Sequence, residues 1–535
     1  MDPALQELIR PSHDATEVVE ALIRLAPGAA APRSIRIVTR FGDIATCRVR
    51  RSDIKRLYGR WPIDSFKAAR SSSTERVRVD QKPIFKASDR RWYPGMPTGR
   101  GVMLGVIDWG IDFDHTNFKK TDGSTRLKAI WDQRAQSAYP PIQFDYGAIF
   151  DQKKINKALQ SSSPYRYLNY HPASADPRGI GAHGTHVMDI AAGSGAIGPV
   201  GMAPEADLAF VHLASKKGDP RHNLGDSVRI LEAIDFLDKL AGRQPLVINM
   251  SVGRHGGPHD GSTLVEQGID AFLRSKPDRF IVQSTGNYFK TRTHASGMLA
   301  SGERQVLRLN IGPHDYTTNE IEVWYEGEDN ISAKIRHKET GINARVGQNS
   351  NHIFRSDGEV IGRLYHRTKE PNNGRNHINI FLFANAPVGR WELHLHAHSI
   401  RSSGIFHTWI ERDGACKDCQ TRFYKRDADP YTTTGTICNG VENIVVGAFD
   451  PKKNKVAPFS SRGPTVDGRI KPDFLAPGVQ VLAAKSSPPT ASSSTYSLTR
   501  MSGTSMAAPY VAGMVAGIRE LNGPLWAYEA RNILY

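Results

Sequence analysis

The chain has 535 residues, of which 39% are hydrophobic and 23% are charged, and its formal net charge is +16. This length exceeds one ordinary hydrophobic core, so we expect about two to four domains. No run approaches the roughly 18 consecutive apolar residues of a membrane-spanning helix, and the sequence therefore predicts no membrane partner.

The first 98 residues divide into three predicted segments. Residues 1–32, with Val18, Val19, Leu22 and Ile23, predict an N-terminal helical segment that ends in an Ala/Pro/Gly-rich linker. Residues 33–80 predict a small α+β module, because apolar residues alternate over 35–41 and 44–49 and Ser52 could cap a short helix. Residues 81–98 are polar and basic, as in a linker.

The positive charge is concentrated in the same region. Residues 33–100 contain 18 Lys and Arg against 6 Asp and Glu, a local net charge of 18 − 6 = +12. A basic patch can bind nucleic acid, which would make binding steeply salt-dependent. No recognition motif accompanies it, so we favour a basic surface or a contact with an acidic face of the same molecule.

The N-terminus has acidic residues where a secretory signal has basic ones, and it has no continuous apolar stretch. The sequence therefore predicts a cytoplasmic protein, or a precursor whose leader lies outside this chain.

From residue 99 the pattern predicts strands that alternate with helices. The apolar run 102–108 ends in Asp108, as a buried parallel strand would. Further strands are expected at 208–213 and 245–250, and helices at 227–240 and 264–273. Such alternation predicts a parallel sheet with helices on both faces.

His183 precedes a helix rich in small residues that contains His186. A zinc site is the less favoured interpretation, because the two histidines are three positions apart and no third ligand is signalled.

Ser505 follows Gly503 and Thr504, immediately before another helical pattern. Met506, Tyr510, Met514 and Ile518 recur at helical spacing and predict one apolar face. The small residues Ala507, Ala508, Ala512 and Gly513 predict a helix that packs closely on other backbone. Ser505 should therefore lie at a helix N-terminus, where free N–H groups favour a developing anion.

Residues 301–411 contain alternating strand patterns separated by turn residues. Four strands are expected at 306–311, 320–325, 377–382 and 391–396. They predict an inserted antiparallel β-sandwich, for which a rigid spacer and a substrate-binding role remain alternatives.

Four cysteines are too few for a disulfide framework in a chain of this size. Cys416 and Cys419 have CxxC spacing and, with Cys438, could bind zinc or form a redox pair. Plain loop thiols are the favoured interpretation.

The ordered segments containing Asp108, His183 and Ser505 resemble those of the subtilisin-like serine peptidases, whose triad has that chain order. The segments 247–253, 284–287, 459–464 and 471–478 also match. Residues 122–133 and the insertion resemble the Csp-like branch, whose members carry a jelly-roll-like domain. The resemblance implies a catalytic domain formed by residues 99–300 and 412–535.

The resemblance also implies site roles. Asp108 orients His183, His183 is the base for Ser505, and Asn287 contributes to the oxyanion hole. The residues expected to bind the substrate backbone or line the pocket are Ser251, Val252, Gly253, Ser284, Thr285 and Gly286. Asn117 stands where many relatives have an acid that binds calcium, so we expect no obligatory metal and no cofactor.

The combined prediction is an α/β serine endopeptidase with a propeptide-like module at residues 33–80 and protein or peptide substrates. In such families the propeptide assists folding and then blocks the cleft. The rival from another class is an inactive scaffold that binds a partner through its basic N-terminal region. Substrate identity, cleavage preference and oligomeric state are left open by the sequence.

Overall fold

The computed structural model describes residues 1–10, 14–74, 78–80, 89, 91–137, 140–175, 181–214, 226–413, 416 and 418–535. All statements about structure concern these residues.

The N-terminal region forms a four-stranded antiparallel sheet with two short helices. Its elements are α1 (Pro3–Leu8), β1 (Val18–Leu25), β2 (Ile35–Phe41), β3 (Ile44–Arg50), α2 (Arg51–Leu57) and β4 (Ile63–Ala68). The strand order is β2-β3-β1-β4. Two short strands, β5 (Ser73–Thr74) and β6 (Arg78–Asp80), follow this module.

Two local predictions for this region are wrong. The residues Val18, Val19, Leu22 and Ile23 lie on strand β1 and not on a helix, because β1 is an inner strand paired with both β3 and β4. Tertiary pairing favours the extended form of these branched side chains. Helix α2 begins at Arg51, so Ser52 is inside it and does not cap it.

The central sheet confirms the predicted α/β class. Its order is β26-β25-β13-β11-β7-β10-β8-β9, with β27 also paired to β25, and the inner pairs are parallel. The elements before the insertion are β7 (Met103–Asp108), β8 (Leu127–Asp132), β9 (Ala148–Asp151), α3 (Gln152–Leu159), α4 (Pro164–Leu168), α5 (His183–Ala192), β10 (Asp207–His212), α6 (Ser227–Ala241), β11 (Leu246–Met250), β12 (Val252–Gly253), α7 (Leu264–Leu273) and β13 (Arg279–Ser284).

The inserted region is a sandwich of two antiparallel sheets around its own apolar core, and it contains all four predicted strands. Its sheets have the orders β14-β23-β16-β21-β20-β19 and β18-β17-β22-β15-β24. The strands are β14 (His294–Met298), β15 (Arg304–Ile311), β16 (Asn319–Tyr325), β17 (Asn330–His337), β18 (Asn343–Val346), β19 (Asn351–Ser356), β20 (Glu359–Arg367), β21 (Asn376–Leu382), β22 (Gly389–Ser399), β23 (Ile405–Ile410) and β24 (Arg422–Phe423).

The chain then returns to the central sheet. The remaining elements are β25 (Ile444–Asp450), β26 (Lys455–Val456), β27 (Phe474–Pro477), β28 (Val481–Lys485), β29 (Ser497–Ser502), α8 (Thr504–Leu521) and α9 (Ala527–Leu534).

Helix α8 begins beside Ser505 as predicted, but its buried face is different. Met514 is 41% exposed, whereas the small residues Ala508, Ala512 and Gly513 are buried. A Cβ atom at Gly513 would lie 2.7 Å from the carbonyl oxygen of Ala191. Small side chains therefore face the protein here because α8 approaches α5 closely.

The expectation of free loop thiols at Cys416 and Cys419 is also wrong. The two residues form a disulfide, with Cα atoms 5.1 Å apart, a separation that lies within the ordinary range for such bonds. Cys438 is a buried free thiol.

The N-terminal module shares a buried core with the central sheet. Leu22, Phe41 and Ile44 belong to the same buried cluster as the central sheet. Arg48 donates two hydrogen bonds to Glu232 on α6, at 2.8 and 3.0 Å. At this interface the positive charge of the module faces acidic groups of the same molecule.

Candidate active site

Asp108 and His183 come together because β7 ends where α5 begins. The Nδ1 atom of His183 lies 2.7 Å from Oδ1 of Asp108, and both side chains are buried. Because a carboxylate only accepts, this geometry assigns the proton to Nδ1. Among the described residues, Nε2 of His183 has no hydrogen-bond partner. That nitrogen is therefore the one suited to accept a proton from a reacting group.

Ser505 is the second residue of α8, which packs against α5. Its hydroxyl donates to the carbonyl oxygen of Ser251 at 3.4 Å, and the hydroxyl of Ser251 donates to the carbonyl oxygen of Ser505 at 3.3 Å. These contacts join the nucleophile candidate to the end of β11. The N-terminal dipole of an 18-residue helix favours negative charge at this position.

Asn287 is fixed beside the same helix end. Its Oδ1 atom accepts the backbone N–H of Thr504 at 3.1 Å, which sets the orientation of the amide. The Thr504 hydroxyl in turn accepts the backbone N–H of Gly286 at 3.2 Å. Sequence reasoning did not identify Thr504, and only its position before Ser505 could have indicated this bridging role.

The predicted pocket residues lie where β13 ends. Ser284 is the last residue of β13, and the buried Thr285 continues its pairing by donating its N–H to the carbonyl oxygen of Val446 at 3.0 Å. At Gly286 the backbone φ is 101°, and a Cβ atom would lie 2.7 Å from the Tyr288 ring. A side chain at this position would be strained and would clash, so glycine is required.

The strand predicted to bind substrate is paired with the chain itself. In β12, Val252 pairs with Thr74 and Gly253 with Ser73 in an antiparallel arrangement. Strand β6 then pairs with β29, which ends at Ser502 just before helix α8. The chain around residues 73–80 thus pairs with strands on two sides of the candidate site. Residues 75–77, between the two pairings, lie outside the described part.

Asn117 makes protein contacts that account for its amide. Its Nδ2 atom donates to Oδ1 of Asp189 at 2.6 Å, and its Oδ1 atom accepts the N–H of Ile197 at 2.8 Å. The nearby Arg91 guanidinium is buried and donates to the carbonyl oxygens of Leu482 and Pro199 at 2.6 and 2.8 Å. A positively charged side chain therefore occupies this carbonyl-rich loop region.

Two other groups of possible metal ligands contain a side chain that is already engaged within the protein. His186 lies within hydrogen-bonding distance of the carbonyl oxygens of Val481 and Thr499, and burial lowers its pKa to about 3. The ligand atoms of Asp315, Asp413 and Cys419 lie within 4.8 Å of one another, but Cys419 is oxidised to a disulfide. A disulfide sulfur is not the thiolate that metals bind.

A comparison of the sequence with protein-family models agrees with this geometry. The model of the subtilase family, Peptidase_S8, matches residues 99–305 and 423–535, on both sides of the insertion. The chain belongs to the subtilase family. This subtilase is 24% identical over 466 residues to the minor extracellular protease Vpr of Bacillus subtilis, covering 84% of the chain and 49% of Vpr.

Solved structures support the same assignment. The CspB protease of Clostridium perfringens superposes with a TM-score of 0.67 and 27% identity, over 79% of this subtilase and 84% of CspB. Fervidolysin from Fervidobacterium pennivorans, a keratinolytic enzyme, has a TM-score of 0.50 at 13% identity over 97% of this chain and 57% of its own, which shows the fold alone.

This subtilase spans about half, or less, of the length of the curated relatives it matches first, with 49%, 23% and 10% of their sequences covered. Within the described residues, no helix has the length and apolar character needed to cross a membrane.

Proposed function

We propose that this subtilase is a serine endopeptidase in which Asp108, His183 and Ser505 form the catalytic triad. The observation that carries the proposal is the 2.7 Å contact between His183 and Asp108, with helix α8 and its N-terminal Ser505 packed against the helix that begins at His183.

The His183–Asp108 contact is the part of the proposed proton path that the structure shows, and Ser505 is expected to turn its hydroxyl from Ser251 toward His183 for the reaction. Nε2 of His183 takes the proton as the oxygen of Ser505 attacks the substrate carbonyl, and later returns it to the leaving amine. Asp108 keeps Nδ1 protonated and stabilises the imidazolium. The side-chain N–H of Asn287 and the backbone N–H of Ser505 stabilise the oxyanion.

We further propose that residues 33–80 act as a propeptide whose C-terminal end occupies the substrate groove. The pairing of β5 with β12 is the strand addition expected of an extended peptide substrate. Because β5 pairs with β12 and β6 pairs with β29, which ends just before α8, we expect the chain to be cut between Thr74 and Arg78. The substrates would then be extended segments of proteins or peptides.

An active-site label tests the activity. Wild-type protein and Ser505→Ala are treated with a fluorophosphonate probe and with a mixed peptide library, and the intact masses are measured. We expect only the wild type to be labelled, to cut peptides and to be cut between residues 74 and 78. A wild type that remains uncut but is fully active would contradict the processing step.

A second result would overturn the enzyme assignment itself. If neither protein reacts, even after limited proteolysis of residues 75–90 with an added protease, the inactive scaffold becomes the better explanation. The disulfide state of Cys416 and Cys419 in freshly isolated protein would in turn test the cytoplasmic prediction, because disulfides persist mainly in oxidising compartments.

A further inference from the structure

Arg70 enters the substrate groove just before the strand that pairs with it. Its backbone is fixed to α6, because its N–H donates to the hydroxyl of Ser227 at 3.1 Å and its carbonyl accepts the N–H of Ser227 at 2.9 Å. Three residues later Ser73 pairs with Gly253. The side chain of Arg70 therefore has a defined position relative to the groove.

The guanidinium of Arg70 binds an acid from the inserted sandwich. Its Nη1 atom donates to Oε1 of Glu320 at 2.6 Å, and the two side chains are 22% and 14% exposed. Asn379 on the neighbouring strand β21 donates to the same Oε1 at 2.7 Å. The carboxylate of Glu320 is thus oriented by its own domain and faces the groove.

Two more acids adjoin this contact. Arg254, which follows β12, lies 3.8 Å from Glu320, 3.5 Å from Glu322 and 2.6 Å from Glu411. Three carboxylates therefore surround one guanidinium of the catalytic region, and the guanidinium of Arg70 reduces their net charge from −2 to −1. A site without that second cation would retain an excess of poorly solvated negative charge.

Glu322 is held in its charged form. Although burial raises it, the pKa of Glu322 lies below its usual range because His377, Arg70 and Arg254 stabilise the carboxylate. The indole N–H of Trp324 also donates to Glu322 at 2.9 Å.

The site opens into a groove with room for a peptide. The groove has a volume of about 510 Å³ and lies between the catalytic region at Gly253 and the sandwich at residues 316–320 and 411–413. Residues 69–72 run along it. The sandwich therefore forms one wall of the path that leads to the substrate-binding strand.

We propose that Glu320, assisted by Glu322 and Glu411, forms a distal subsite that selects an arginine in the substrate, three residues before the residue that pairs with Gly253. The inference rests on the proposed endopeptidase function, and Arg70 is the intramolecular stand-in for that substrate residue. It assigns the inserted sandwich a part in specificity. A planar guanidinium suits a fixed carboxylate better than a lysine ammonium does.

Matched peptides test the subsite. Peptides with the sequence of residues 68–80 carry either arginine or citrulline at the position of Arg70, since citrulline keeps the shape but loses the charge. For the Arg70→Gln protein, whose own side chain no longer binds Glu320, we expect kcat/KM to be about tenfold higher with arginine, as for loss of a charged hydrogen bond. Adding Glu320→Gln should lower the preference to about twofold or less. In the control Glu328→Gln, an exposed acid of the same sandwich, it should persist.

A shortened peptide that begins at Ser72 separates the two possible failures. If the Arg70→Gln protein cuts this peptide but cuts the arginine and citrulline peptides of residues 68–80 equally well, the subsite proposal is overturned while the endopeptidase function stands. If wild type cuts no peptide, the endopeptidase function fails.

A measurement that needs no catalysis then decides whether Glu320 holds the arginine. In the intact Ser505→Ala chain, hydrogen exchange at residues 70–74 should become faster on adding Glu320→Gln or Arg70→Gln, and should not change with Glu328→Gln. Equal exchange in all of these proteins would contradict the proposal.

Discussion

At the residue scale, Oδ1 of Asn287 accepts the N–H of Thr504, and the proposed oxyanion role falls to the other end of the same amide, its N–H group. We expect Asn287→Ala to lower kcat about 100- to 1000-fold with a smaller change in KM. Asn287→Asp retains an acceptor for Thr504 but loses the donor. Steady-state kinetics should therefore show a similar loss in both variants.

Thr504→Val supplies the matched comparison for that prediction. It removes the acceptor for the N–H of Gly286 and leaves the amide of Asn287 in place. A loss in Thr504→Val as large as in Asn287→Asp would mean that positioning by Thr504, and not the donor of Asn287, dominates.

The site residues were accessible to sequence reasoning to different degrees. Asp108, His183 and Ser505 each lie at or beside the end or start of a regular element, which periodicity predicts, whereas only the family resemblance groups them as a triad. The contact of Arg70 with Glu320 joins positions 250 residues apart, and no local pattern predicts it.

Among the elements, those with strong periodicity were predicted well and those decided by packing were not. Helix α7 begins and ends where the sequence predicts, at Leu264 and Leu273. Strand β1 was assigned as a helix because its pairing partners are distant in sequence. For α8 the prediction that its small residues pack closely on other backbone is confirmed, whereas the hydrophobic pattern wrongly placed Met514 on the buried face, and the partner helix α5 was not predicted. Backbone proximity of this kind is a tertiary property.

Arg91 stabilises the irregular loop that follows α5. Besides Leu482 and Pro199, it donates to the carbonyl oxygen of Val200 at 3.2 Å. We expect Arg91→Met to lower the free energy of unfolding by about 3 kcal/mol, because buried carbonyl groups lose their donors. Denaturant unfolding of the inactive Ser505→Ala protein measures this without self-digestion.

Arg100→Met is the control for the Arg91 prediction. The side chain of Arg100 is 76% exposed and pairs with Glu205 at the surface. Its loss should change the stability by less than about 1 kcal/mol. Equal effects of the two variants would show that the buried contacts of Arg91 contribute nothing specific.

Across the whole molecule, a group of buried histidines connects the catalytic region to the sandwich. His259 and His294 stack on Trp409 with ring centroids 4.2 and 4.9 Å apart, and His294 lies 3.1 Å from His407. Burial lowers the pKa of His259 and His407 to about 3 and that of His294 to about 4. Burial also lowers the pKa of His255, which stacks on Tyr288, well below its ordinary value.

These shifts predict that stability decreases in acid. Below pH 6.5 the unfolded histidines bind protons that the folded ones exclude, so the free energy of unfolding should fall by up to about 1.4 kcal/mol per pH unit for each histidine. The loss should continue down to about pH 4, where His294 begins to titrate in the folded state. Urea unfolding of Ser505→Ala at pH 7, 6 and 5 measures the slope.

Replacing one histidine should lower by about one the number of extra protons that the unfolded state binds. The slope should then fall by up to about 1.4 kcal/mol per pH unit. We expect that result for His407→Gln, measured against His352→Gln on the exposed face of β19. Neither substitution removes a charged side chain that acts on the cluster, namely Arg254, Glu322, Arg375, Arg412 or Asp429. A slope in His407→Gln equal to that of the control would exclude His407 from the acid response.

The positive charge that Arg91 supplies does not depend on the concentration of any ion in the medium. A bound ion leaves its site as its concentration in the medium falls, whereas a side chain is present at a fixed stoichiometry of one and cannot be removed by a chelator. Arg91 follows strands β5 and β6 in the chain, so a cut between Thr74 and Arg78 would leave it attached to the part that contains the central sheet. The carbonyl groups of the loop would keep this hydrogen-bond donor through processing, dilution and changes in the ionic composition of the surroundings.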